Sequence, residues 1–224
     1  MVNETRLPIW AAAQSIHACG RVLFPDRIAS CLTPQLLSKD EISLGNSLVF
    51  SDPQFRNLLK SGLGMPKIGG LLLSPYRSFC IFSCLWKIGK LYKSKKSHTF
   101  APLILRGSLE AICTYMNFHQ EASRIFGTEK DSVLSINISE TYTKYLIRYQ
   151  SSSGWSVKYV EESLNSSASL TFKDPAIARK AALGKLDSWL ALTTGEILLA
   201  GRIPMLDKFG YVARIAQREV PLPK

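Results

Sequence analysis

The sequence predicts an α+β domain preceded by a mainly helical region, on three observations. Apolar residues recur at helical spacing up to about Phe126, then switch to alternation from residue 132 onward. Asp174-Pro175 has the form of a helix start set inside the strand-rich part, with Asp as cap and Pro at the first helical position. The last apolar run, 203–217, returns to helical spacing. Antiparallel strands, a helical excursion, one more strand and a closing helix make the α+β pattern.

The elements follow in order. Pro8 in a first turn precedes Ile9, Ala12, Ile16, Cys19 and Leu23 on one helical stripe. In "TPQLLSKDEI", Thr33 and Pro34 predict a second helix start. "APLILRGSLEAICTYMNFHQEASRIFG" (101–127) is the clearest helix, with Leu105, Leu109, Ile112, Met116 and Ile125 as its stripe and Gly127 as its C-cap. Strands are predicted at 132–139, 143–150, 155–161, 168–174 and 196–201, with "SSSG" and "NSS" as turns. The final helix carries Met205, Leu206, Phe209, Val212 and Ile215 along one side. One phrase occurs twice: Ser47-Leu48-x-Phe50-x-Asp52-Pro53 and Ser169-Leu170-x-Phe172-x-Asp174-Pro175, each with a glycine ten residues after the Asp. The copy at 47–62 reads as a partial repeat of a strand–helix unit, or as convergence on one capping solution.

The 224 residues are 46% hydrophobic and 20% charged, a globular composition. The net charge of +11 is unevenly spread: no acid lies between Asp52 and Glu110, where ten Lys and Arg fall. That block suits an anionic partner or forms a solvated basic face, and both readings stand. The five cysteines and three scattered histidines form neither a disulfide framework nor a zinc pattern, so reduced thiols and no metal are expected. The N-terminus lacks the apolar core of a signal peptide, and Pro75 and Arg77 interrupt the most hydrophobic run. A cytoplasmic protein, able to sit peripherally on a membrane, is expected.

Catalytic motifs are missing. "GLGMPKIGG" (62–70) has Lys67 where a dinucleotide loop needs glycine, and it has no G-K-[ST]. No G-x-S-x-G or H-E-x-x-H occurs, and His119 and Glu121 diverge on a helix. No cofactor and no nucleic acid are expected. In "KIGKLYKSKK" and the aromatics before it, Phe79, Phe82, Trp86, Lys87, Lys90, Lys93, Lys95 and Lys96 form a candidate membrane-surface segment.

The window "GKLDSWLALTTGEILLAG" (184–201) spaces Gly184, Gly195 and Gly201 eleven and then six residues apart through an apolar stretch. With Gly184-Lys185-Leu186, Trp189–Leu192, Thr194-Gly195-Glu196 and Ile197–Leu199, it resembles the C-terminal core of the sterol carrier protein 2 (SCP-2) family, and the likeness covers roughly 101–219. The resemblance implies an SCP-2-like five-stranded sheet with helices over one face, an apolar tunnel for a lipid, and no intrinsic enzyme activity. It divides the chain into a basic region 1–100, a lipid-binding domain 101–219 and a tail 220–224. By position it assigns the lining to Phe172, Ile177, Ala181, Leu186, Trp189, Leu190, Leu192, Leu198, Met205, Leu206 and Phe209. The same residues would equally fill a solid core.

The function expected is therefore lipid binding or transport, with an acyl, isoprenoid or sterol-like ligand and an anionic membrane as partners. A second reading is an accessory protein that presents a lipid intermediate, such as a quinone precursor, to membrane enzymes, with a protein partner held through residues 1–100. A third is an enzyme with a site between the two regions, using His119 or a cysteine.

Overall fold

The computed structural model describes residues 2–24, 26–38, 40–62, 64–67, 69, 74–93, 97–161 and 165–221. The chain divides into two compact units, Met1–Lys95 with Val220–Lys224, and Lys96–Glu219.

The first unit opens with a 3-10 turn, Glu4–Arg6, and helix α1, Leu7–Leu23, with Pro8 in its first turn as the sequence suggests. A short helix α2, Asp26–Ala29, and a 3-10 turn, Ser30–Leu32, follow. Next comes an antiparallel three-stranded sheet: β1 (Pro34–Ser38), β2 (Glu41–Leu44) and β3 (Leu48–Ser51). The helix predicted from Thr33-Pro34 is not there. Pro34 instead opens an edge strand, where a residue without an N–H is tolerated. Leu36, Ile42 and Phe50 face one another across the three strands, and Thr33 O accepts from Gly45 N at 2.9 Å, extending the β1–β2 pairing beyond Pro34 and Leu44.

Helix α3, Asp52–Ser61, ends at Gly62 in the left-handed conformation. Its cap is Ser51, which forms a reciprocal box with Gln54. Asp52 is thereby left to bind Arg6 through two bonds, Nε to Oδ2 at 2.8 Å and Nη2 to Oδ1 at 2.9 Å. Helix α4, Pro75–Lys93, completes the unit and buries Ser78, Ile81, Cys84, Ile88 and Tyr92.

The second unit begins with helix α5, Ser97–Phe118, and helix α6, Gln120–Phe126. The single helix expected over 101–127 is divided by His119, whose Nδ1 caps α6 by accepting from Ala122 N at 3.3 Å. Gly127 does not end the helix in a left-handed turn; it stays right-handed and starts a 3-10 turn, Gly127–Glu129.

Strands β4 (Val133–Ile138), β5 (Thr143–Gln150) and β6 (Gly154–Val160) form an antiparallel meander. The chain then crosses to β7 (Ala168–Phe172), parallel to β4, and later to β8 (Ile197–Gly201), antiparallel to β7. The order β6-β5-β4-β7-β8 makes five strands with one parallel pair, the largely antiparallel α+β sheet the sequence predicts. Between β7 and β8 lie helices α7 (Pro175–Ala182) and α8 (Ser188–Thr193); helix α9 (Ile203–Glu219) closes the unit.

Leu134, Ile136, Ile138, Ile147, Val157 and Phe172 share one buried face of this sheet, on which α5, α7 and α9 pack. The alternate positions are mostly polar, including Asn137, Lys144, Lys158 and Thr171. Asn117 at the end of α5 fixes the start of β6, accepting from Trp155 N at 2.7 Å and donating to Trp155 O at 2.9 Å.

Candidate functional site

The 184–201 window is built from its backbone outward. Asp174 Oδ1 accepts from Ile177 N at 2.9 Å and starts α7. That helix ends in a Schellman arrangement: Lys185 N reaches Lys180 O at 2.8 Å, and Gly184 N reaches Ala181 O at 3.0 Å. Asp187 Oδ1 then accepts from both Trp189 N and Leu190 N at 3.1 Å, which caps α8. The role of this carboxylate is structural, and the legible signal was an Asp one residue before a Ser-Trp helix start. Thr193 and Thr194 hydroxyls turn back onto the carbonyls of α8 and finish it.

All three window glycines have positive φ: +66° at Gly184, +70° at Gly195 and +81° at Gly201. At Gly195 the conformation alone requires glycine, since a Cβ there would meet open space. At Gly201 a Cβ would lie 2.4 Å from Ser167 O, so strand β7 passes too close for any side chain.

The residues assigned as lining divide by depth. Phe172, Ile177, Met205, Leu206 and Phe209 are buried in the layer between the sheet and its helices. Ala181 and Leu186 are half-buried. Trp189 is 81% exposed, Leu190 60% and Leu198 61%, and Leu192 is also at the surface. Ala191 is the one buried residue of α8. The helix therefore turns its smallest apolar side chain inward and its three large ones outward, against the usual rule for a surface helix. Ile203, at the start of α9, is another exposed apolar residue that the helical-stripe reading left out.

The membrane-surface residues also separate. Phe79 and Trp86 are exposed on α4, with Lys87, Lys90 and Lys93. Phe82 is half-buried, and Lys95 and Lys96 lie outside the described residues. Tyr76, missed by the aromatic-lysine reading, is exposed on the same helix.

Two cavities among the described residues lie elsewhere. One is an open cleft of about 510 Å³ bordered by Asn117, Lys130, Tyr149 and Trp155. The other, about 360 Å³, is bordered by Tyr211, Arg214, Ile215 and Arg218. Neither includes a residue assigned as lining.

The residues of the enzyme reading are otherwise engaged. His119 is a helix cap stacked on Tyr115, and Glu121 accepts from Tyr211 Oη at 2.8 Å. Burial raises the Cys113 thiol well above its usual value, and burial with the neighbouring Cys80 raises Cys84 to about 11, so neither thiol ionises near neutrality. Among the described residues no group of three or more His, Cys, Asp or Glu could hold a metal. No helix among them is long and apolar enough to cross a membrane.

No protein-family model and no curated protein matches the sequence. Solved structures are similar to it, three of which follow. The ubiquinone synthesis protein UbiJ-SCP2 shares 16% identity over 52% of this chain and 98% of its own, with a TM-score of 0.38. The sterol carrier protein domain 2 of Helicoverpa armigera shares 12% identity over 56% and 93%, with a TM-score of 0.41. A conserved hypothetical protein of Thermus thermophilus, described as possibly a sterol carrier protein, shares 17% identity over 50% and 85%, with a TM-score of 0.36. The chain is similar to SCP-2-type structures, and its own sheet order and packed helices make it an α+β protein with a five-stranded, helix-covered sheet.

Proposed function

We propose that residues 101–219 form a non-catalytic lipid-binding domain, preceded by a basic region, 1–100, and followed by a short tail, 220–224. The ligand is an acyl, isoprenoid or sterol-like molecule. The protein meets the source of that ligand as a peripheral visitor to an anionic membrane.

One observation carries this reading: α8 exposes Trp189, Leu190 and Leu192 while burying Ala191 alone. A helix that buries so little apolar area is held in place weakly, because burial stabilises in proportion to area. It is bracketed by Gly184 and Gly195, each in a conformation that allows the chain to turn sharply. Phe172, Ile177, Met205, Leu206 and Phe209, all apolar, are buried between the sheet and its helices. A ligand chain that enters between this layer and α8 gains roughly 0.8 kcal/mol for each methylene buried. No polar anchor is needed for such a ligand.

Native mass spectrometry of the freshly purified chain tests this, paired with uptake of a fluorescent fatty acid by delipidated protein. Bound lipid, and uptake that falls when Trp189 and Leu190 are both changed to Ser, are expected. Absence of bound lipid together with absence of uptake overturns the reading.

A further inference from the structure

We propose that the outward face of α4 is the element that seats the protein on an anionic bilayer. The inference rests on the membrane-visiting part of the function proposed above and is independent of where the lipid ligand binds.

The helix has two distinct sides. Ser78, Ile81, Cys84, Ile88 and Tyr92 recur at three- and four-residue steps and are buried within the first unit. On the opposite side stand Tyr76, 81% exposed, Phe79, 72%, and Trp86, 62%. Lys87, Lys90 and Lys93 project from the same outward side. Three large aromatic side chains in water along one helix face are a costly arrangement for a surface that stays wet, and such patches mark interaction sites.

Charge selects the occupant. No acidic residue occurs between Asp52 and Glu110, so α4 and its sequence neighbours offer only positive charge. A protein partner with an apolar groove would suit the aromatics alone. A bilayer interface with anionic headgroups suits both, since Trp and Tyr settle at headgroup depth while lysines reach the phosphates.

The side chains are also arranged for that depth. Lys90 Nζ lies 3.6 Å from the centre of the Trp86 ring, and Lys87 Nζ lies 5.5 Å from that of Phe24. In each pair the ammonium group itself lies over the aromatic ring, a cation–π contact that keeps a lysine charge beside an aromatic surface. With the aromatics concentrated in the first two-thirds of the helix and the lysines in the second half, α4 lies along the interface. With Arg77, Lys87, Lys90 and Lys93 along its length, Pro75–Lys93 is too charged for a spanning segment.

Co-sedimentation of the full chain with phosphatidylcholine vesicles, with and without phosphatidylserine, tests the inference. Binding to the phosphatidylserine vesicles that weakens with added salt is expected. Changing Phe79 and Trp86 together to Ser should remove most of it. Changing Lys87, Lys90 and Lys93 to Ala should weaken it about fivefold per lysine. These side chains lie on the surface, so circular dichroism and melting should match the parent protein. Fatty-acid uptake from solution should persist in both variants, which separates docking from ligand binding. Equal binding to both vesicle types, no binding to either, or binding unchanged in the aromatic variant overturns the inference. The lipid-binding reading then stands or falls on uptake alone.

Discussion

Lys208 Nζ donates to Glu129 Oε1 at 2.7 Å, and Glu129 is only 2% exposed. The other carboxylate oxygen lies 3.2 Å from Arg202 Nη1 and accepts from Ser132 Oγ at 3.3 Å. One buried acid therefore ties the turn before β4 to the start of α9. The hydrogen bond from Lys208 is the chief cause that holds its pKa below the ordinary glutamate value; the Lys208 and Arg202 charges add to it and burial opposes it. A group whose pKa is lower in the folded state stabilises fully above its unfolded value, about 4.3, and that contribution fades as pH falls through the folded value. Glu129→Gln should cost roughly 1–3 kcal/mol at neutral pH and flatten the acid limb of the stability curve. Thermal denaturation of both proteins between neutral and acidic pH checks this, and parallel curves would refute it.

Arg6 binds Asp52 through two bonds and also donates to Glu41 O at 2.8 Å. Both side chains are mostly buried, so the pair counts for more than a surface bridge. Arg6→Ala should destabilise the first unit by about 1–3 kcal/mol. Arg6→Lys should recover little, because an ammonium cannot reproduce a planar fork. Denaturant unfolding followed by circular dichroism checks both variants.

Gly195 and Gly201 share a left-handed backbone but differ in surroundings. Gly195→Ala should cost only the conformational penalty, about 1–2 kcal/mol, and Gly195→Asn less. Gly201→Ala should cost more, because its methyl group would press on the backbone of Ser167 and Ala168, where β7 begins. Equal melting temperatures for the two alanine variants would count against the close approach of β7 and β8.

Trp189 and Phe172 test the division of the apolar set by depth. Trp189→Ser should leave melting nearly unchanged, within about 0.5 kcal/mol. Phe172→Ala should cost about 3–5 kcal/mol through the cavity it leaves. Only the first should alter fatty-acid uptake without altering stability.

The second half of the chain was the more legible because its signals were local. Alternation in 143–150 marked β5 at its observed bounds, and Asp174-Pro175 marked the start of α7. Thr33-Pro34 misled because the same dipeptide suits a helix start and an edge strand, and pairing with β2 decided between them. His119 went unread as a cap because an imidazole nitrogen is an uncommon acceptor at that position. The window 184–201 was legible as apolar, yet its inside and outside were not. Burial rules assume large apolar residues point inward, and α8 places Ala191 there instead.

The repeated phrase ending in Asp-Pro shows how one substitution redirects a carboxylate. In the second copy Lys173 precedes the Asp and has no acceptor to offer, so Asp174 itself caps the helix. In the first copy Ser51 takes over that duty, and Asp52 is released to a partner 46 positions away in the chain. A serine hydroxyl thus converts a short-range fastening into a long-range one. Ser51→Lys would draw Asp52 back to the helix end and untie the N-terminal segment, a loosening that faster proteolysis near Arg6 would reveal.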